Sequence, residues 1–181
     1  MGEFGAYNGA VPIVNNVTRM LDAHKIKYTA FGLPDAKLGA LETARLVGSQ
    51  PDLVFKTIVV KRERPKPPLL VLVPGNTTVD LKKVAAATGD KKVQLPSERE
   101  AEVLTGLRAG GISPLALLNK RFHVLIDASA QAHAEIHVSG GQRGLNIRLG
   151  VPDLATLTKA RFAPVSATAD EEGQRPDATT P

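Results

Sequence analysis

The feature that most constrains this chain is a pair of apolar runs, Leu53–Val60 (LVFKTIVV) and Leu69–Val73 (LLVLV), separated by the segment KRERPKPP. The first run is rich in β-branched residues and is entered through Pro51-Asp52, the composition and punctuation of a strand. The intervening segment has three prolines and alternating charge. Neither helix nor strand tolerates that pattern, so it is a loop and the second run returns as a partner strand. Side chains on a strand alternate faces. Lys56 therefore shares a face with Val54, Ile58 and Val60, while Phe55, Thr57 and Val59 occupy the other. Both faces are otherwise largely apolar. An unpaired ammonium in a core costs several kcal/mol or loses its proton, so Lys56 is paired, snorkels to an edge, or lines a polar cavity. The run itself leaves these readings open.

Around this hairpin the pattern alternates between helix and strand. Asn15-Asn16 offers an N-cap for a helix with Val17, Met20, Leu21 and His24 on one face, followed by a strand around IKYTAF. A second helix covers ALETARLVG. TTVDLKKVAAATG reads as a helix ending at Gly89, KKVQL as a strand, and SEREAEVLTG as a helix in which Ser97 and Glu100 form a capping box. Strands follow near RFHVLID, AEIHVSG and LNIRL, then a helix beginning at Pro152-Asp153. Consecutive strands interleaved with helices predict an α+β domain with a mixed sheet, unlike a regular βαβ array.

At 181 residues and 43% hydrophobic the chain can bury one core, which predicts a single compact domain. We place it at residues 13–165, between a flexible leader (1–12) and a disordered acidic tail (166–181). The segment from Val165 to Pro181 holds four carboxylates and one arginine, a net of −3, so of the overall +5 the body carries +8. That excess suits a polyanion such as RNA, although charge alone does not separate RNA binding from a merely soluble basic surface. Aromatic content of 4% weakens a base-stacking platform. The absence of cysteine excludes disulfides, thiolate metal sites and a cysteine nucleophile of the protein's own. No apolar run approaches the roughly 20 residues that span a bilayer and no signal-peptide pattern opens the chain. The expectation is a cytoplasmic protein without a membrane partner.

Two glycine loops stand out. In GLRAGGISPLAL, Gly110 and Gly111 remove two Cβ atoms where a backbone turns or a ligand approaches, and Pro114 stiffens the exit. Exposed amides in such a turn can bind an anion or polarise a carbonyl, whereas an ordinary tight turn is the commoner meaning of Gly-Gly. Neither Walker nor Rossmann spacing is present. VSGGQRGL is a similar loop carrying Arg143. His133 and His137 in HAEIH are spaced as in zinc-binding helices, but on a strand four residues span about 13 Å and the rings cannot share an ion. No metal is expected.

Taken in order and spacing, VFKTIVV, DLKKVA, GGISPL, IDASAQ and VSGGQRGL resemble the YbaK family of Cys-tRNA(Pro) deacylases, relatives of the editing domain inserted in bacterial prolyl-tRNA synthetase. The resemblance runs from about Val14 to Phe162. It implies a compact fold around a mixed, barrel-like sheet flanked by helices, and hydrolysis of the ester joining a wrong amino acid to tRNA(Pro), with cysteine favoured and alanine the alternative. It implies no cofactor, and prolyl-tRNA synthetase as a possible partner. By position, Lys56 matches the family's essential lysine and Thr57 its neighbour, and Gly110, Gly111, Ile112, Ser113 and Pro114 match its G-x-x-x-P loop. The resemblance thus assigns catalysis to Lys56, Gly110 and Gly111, and substrate binding to Thr57, Ile112, Ser113, Pro114, Asp127 and Ser139. Of the basic residues we assign Arg62, Arg64 and Arg143 to the tRNA backbone. Ala40–Gly48 lacks the acidic, histidine-rich character of some relatives, so a different pocket rim is expected there. No Ser/His/Asp pattern supplies a nucleophile. An aminoacyl ester is already activated, and in cysteine-specific relatives the substrate's own thiol is implied to attack. A tRNA-binding module without catalysis is the competing class.

Overall fold

The computed structural model describes residues 5–8, as backbone alone, and 12–168. The predicted hairpin is its centre. Strands β3 (Phe55–Arg62) and β4 (Leu69–Pro74) pair antiparallel, with Phe55 opposite Pro74 and Val60 opposite Leu69. β3 runs past Val60 into the charged segment because Lys61 and Arg62 find ladder partners in β6 (Val93–Gln94). β4 pairs in parallel with β7 (His123–Asp127), and β7 with β10 (Arg161–Ala163), giving the order β10-β7-β4-β3-β6.

The uninterrupted apolar character of β4 reflects cover on both faces. Leu70 and Leu72 enter the larger core with Leu21, Ile126, Ile136, Ile147 and Leu149; Leu69, Val71 and Val73 enter a smaller one with Val60, Leu125 and Val84 of helix α3 (Leu81–Thr88). The five side chains from Leu69 to Val73 are at most 1% exposed. A second sheet, order β1-β2-β9-β8, is built from β1 (Gly5–Asn8), β2 (Tyr28–Gly32), β8 (Glu135–Ser139) and β9 (Leu145–Gly150), and closes the larger core from the other side. A third, two-stranded sheet joins β5 (Thr78–Val79) to β11 (Ser166–Ala167).

The architecture is the expected mixed α+β domain, with helices α1 (Asn16–Ala23), α2 (Ala40–Val47), α4 (Glu98–Thr105) and α5 (Val151–Thr158) beside α3. Asn15 caps α1, and the Ser97–Glu100 capping box forms. α3 starts later than expected because Thr78 and Val79 are drawn into β5, leaving Asp80 to cap it by accepting the amides of Lys82 and Lys83. Residues 5–8 of the expected leader run as β1, and 166–167 of the expected tail as β11. Apart from Pro12 and Thr168, the rest of both segments lies outside the described residues. Among the described residues no helix is long and apolar enough to cross a membrane.

One expectation is corrected: the sheets do not close into a barrel. They meet at a single bridge, Val54 to His137, just after a 3-10 turn at Pro51–Leu53. Beyond it the free edge of β3 is next occupied only at Lys61 and Arg62, by β6. Among the described residues, the edge from Thr57 to Val60 has no ladder partner.

The charged loop is anchored at its root. Arg62 Nε donates to Asp90 Oδ2 at 2.6 Å, with the two side chains 7% and 3% exposed, and Lys66 and Thr88 Oγ1 also donate to Asp90. Burial alone would raise the Asp90 pKa, but the hydrogen bonds from Arg62, Lys66 and Thr88 outweigh it and hold the carboxyl well below the usual carboxylate range. Asp90→Ala strands a buried guanidinium and should cost about 3–5 kcal/mol in urea denaturation at pH 7. Because the folded pKa is depressed, this contribution is full above the unfolded value of about 4 and fades as pH falls below it, so the gap between wild type and variant should narrow in acid.

Candidate active site

A cavity of about 380 Å³ lies along the unpaired edge of β3. Val54 to Ile58 form one wall; Leu145 and Asn146 of β9, with Ser139, form another; Ala109, Gly110 and Ile112 form the third; and the segment from Leu33 to Ala40 closes the rim. Lys56 and Thr57 point to opposite faces of β3, yet both reach the cavity because it wraps the open edge. Half-buried Lys56 also lines an adjoining groove with Thr78 and Lys82. Of the readings left open for this lysine, the fold realises a place on a cavity wall, among both polar and apolar groups.

Thr57 stands out for a different reason. Its Oγ1 is buried and has no hydrogen-bond partner among the described residues. An unsatisfied buried hydroxyl costs about 1–3 kcal/mol and calls for an explanation, and its place on the cavity wall supplies one: a donor and acceptor kept for a ligand.

The third wall depends on two glycine loops packed backbone to backbone. Gly110 has φ +88°, and a Cβ there would lie 3.0 Å from Lys37 Cα. A Cβ on Gly111 would lie 2.8 Å from the Arg143 nitrogen and the Gln142 carbonyl carbon, so no side chain fits. Arg143 Nε then donates to the Ala109 carbonyl at 2.7 Å, tying the loops together. The Gly111 amide is used in a turn to Arg108, whereas the amides of Gly110 and Ile112, both on the cavity wall, take no hydrogen bond among the described residues.

The remaining expected residues are dispersed. Ser139 lines the cavity, and its Oγ accepts the Gly141 amide at 3.3 Å. Ser113 is fully buried and caps a 3-10 turn at Pro114–Ala116 by accepting the Leu115 amide. Pro114 lines a different cavity. Asp127 lines no part of the site: its carboxylate accepts the amides of Val165, Ser166 and Ser129 and the Ser129 hydroxyl, pinning the segment that enters β11. Burial would raise its pKa, but those donors lower it overall. Arg62 is committed to Asp90 and Arg143 to Ala109, while Arg64 is exposed on the loop.

Three features of the site went unforeseen. Lys37 stands on the rim, paired with Glu98. The backbone of Ala36–Ala40 closes it, in a stretch without periodicity to read. Behind the wall, His137 Nδ1 bonds Asn146 Oδ1 at 2.8 Å, with both residues buried. Burial, aided by the charge of Arg148, lowers the His137 pKa despite the Asn146 bond. That pair had a signal: in LNIRL, Asn146 and Arg148 alternate with apolar residues and so share one face. The cavity wall holds lysines, hydroxyls and amides but no carboxylate and no imidazole among the described residues.

Fold and site together define a class. Residues 36–157 match the aminoacyl-tRNA editing domain, and the chain belongs to that family. It is 34% identical over 153 residues to EbsC of Enterococcus faecalis, whose provisional name is that of a Cys-tRNA(Pro)/Cys-tRNA(Cys) deacylase, across 83% of this chain and 92% of that protein. Among solved structures, the hypothetical protein APE2540 superposes with a TM-score of 0.76 at 22% identity, covering 84% of this chain and all 100% of that one. A protein provisionally described as a trans-editing enzyme for prolyl-tRNA synthetase superposes at 0.71 and 24% identity, covering 86% and 99%. At these identities the two structures show a shared fold.

Gly111→Ala should cost about 1–3 kcal/mol, because the new methyl meets backbone that cannot rotate away. Urea denaturation measures this directly.

Proposed function

We propose that the protein is a trans-acting editing hydrolase that removes a wrong amino acid from tRNA(Pro), with Cys-tRNA(Pro) its main substrate, acting in the cytoplasm alongside prolyl-tRNA synthetase. The observation that carries this reading is the cavity of an editing-family chain whose wall brings together Lys56, a Thr57 hydroxyl without a hydrogen-bond partner among the described residues, and the glycine loop at Gly110 and Ile112, with no carboxylate or imidazole lining it among those residues. Such a wall can orient and polarise an ester but offers no general base. An activated ester needs little more. Lys56 would hold the negatively charged or hydroxyl-bearing end of the terminal nucleotide, and the amides would bond the ester carbonyl oxygen as charge develops on it. Thr57 and Ser139 would position the amino-acid portion. The nucleophile then comes from water or from the substrate's own thiol. In the second case sulfur bonds the carbonyl carbon, the bond to the ribose oxygen breaks, and the thiol proton ends on that oxygen. EbsC's name favours cysteine at 34% identity.

A panel of Cys-, Ala- and Pro-tRNA(Pro), with Cys-tRNA(Cys), tests the reading: release of cysteine from tRNA(Pro) with prolyl ester spared is expected. Faster release of alanine would move the specificity, and tight tRNA binding with no turnover would leave a binding module. Lys56→Ala should lower kcat/KM by about 100-fold while the protein still unfolds cooperatively. Thr57→Val should be neutral or slightly stabilising, since the hydroxyl has no partner to lose, yet reduce kcat/KM about 10-fold. Equal activity in this variant would remove Thr57 from the site.

A further inference from the structure

A second cavity, of about 480 Å³, opens at the far end of β3, where β4 and β7 begin. Its wall carries Arg62, Lys120, Lys159 and Arg161, with His123 beside them, and no carboxylate among the described residues. The way these cations are held is informative. Lys120 Nζ donates to the Thr105 carbonyl at 3.0 Å, and Arg161 donates to the Ala87 carbonyl at 2.9 Å. Carbonyl oxygens fix a cation in place without cancelling its charge. Among the described residues, Arg62 alone of these cations is neutralised, by Asp90. His123 Nδ1 accepts from Arg62 at 3.2 Å, which leaves its Nε2 to carry the N–H as a further donor. Several fixed positive charges around one concavity repel one another and raise the potential inside it, a strain that an oxyanion relieves.

We propose that this cavity binds a backbone phosphate of the RNA substrate, as a second contact remote from the ester. Lys56 and Arg62 stand six residues apart on the same strand, about 20 Å. The loop between the cavities is shared: Gly110 and Ile112 line the first, Pro114 the second. An RNA whose 3′ end occupies the first cavity therefore passes the second with nucleotides further from the ester. The proposal rests on the editing function, and it gives that function a reason to prefer whole tRNA over a fragment.

The test uses the Lys120→Gln, Lys159→Gln double variant of the full chain, two substrates and one small anion. Uncharged tRNA binding, followed by filter retention across a salt series, should weaken about 10-fold at physiological salt, and the log–log salt slope should become shallower by about one to two. Turnover of an aminoacylated dinucleotide, too short to reach from one cavity to the other, should match wild type. Unchanged tRNA affinity and slope overturn the proposal, as does an equal loss on tRNA and dinucleotide, which would report damage to the fold. Calorimetry with inorganic phosphate separates a small-anion site: phosphate binding that the variant loses while tRNA affinity stays constant also overturns it. Filter binding does not depend on hydrolysis, so a wild type that binds tRNA but deacylates nothing would sink the editing function and leave this contact to be judged on affinity alone.

Discussion

β3 has one hydrogen-bonding edge taken by β4 from Phe55 to Val60 and another that, among the described residues, is taken only near its ends, by the bridge at Val54 and by β6 at Lys61–Arg62. The site depends on that incomplete ladder. If the second sheet followed β3 along its whole length, the backbone of Thr57 to Val60 would be sealed and the main route to both faces of the strand lost. Leaving the edge open exposes backbone groups that elsewhere invite aggregation. Here the segment Leu33–Ala40 and the two glycine loops stand over the gap and turn it into a cavity.

Charge is distributed with the same economy. The buried Arg62–Asp90 pair and the Arg143–Ala109 bond spend two of the most prominent arginines on architecture. Their cost in lost ligand contacts is offset by a loop root and a loop pair that hold their shape without substrate. Lys120, Lys159 and Arg161 stand at one cavity wall and Arg64 on the exposed loop.

Much of the fold was legible from local rules. The two-sided burial of β4 showed as an unbroken apolar run, and the caps at Asn15 and Ser97 formed as their residue types require. Sheet closure was not legible, because a bridge of one residue pair between distant strands leaves no periodic trace. In the site, strand alternation led to Lys56 and Thr57, and the glycine pairs led to the loops. Asp127 and Arg62 look available in the sequence, a carboxylate among small residues and an arginine in a basic loop, until the donors and the acid that hold them are seen. Ser129 is a local partner of Asp127, but Val165 and Ser166, like Asp90 for Arg62, lie 28 or more positions away in sequence, beyond the reach of any local pattern.

The position of β4 has a consequence for motion. As the most protected strand of the larger sheet, with β3 on one side and β7 on the other, it belongs to the last part of the domain to open. In register Lys56 lies opposite Val73 and Thr57 opposite Leu72, so both are carried by the strand pair at the centre of the larger sheet. The segment Leu33–Ala40, tied down by few backbone bonds, belongs nearer the fast-opening end of the same spectrum. The cavity thus joins a firmly held strand, and a glycine-loop pair packed backbone to backbone, to a lightly held rim.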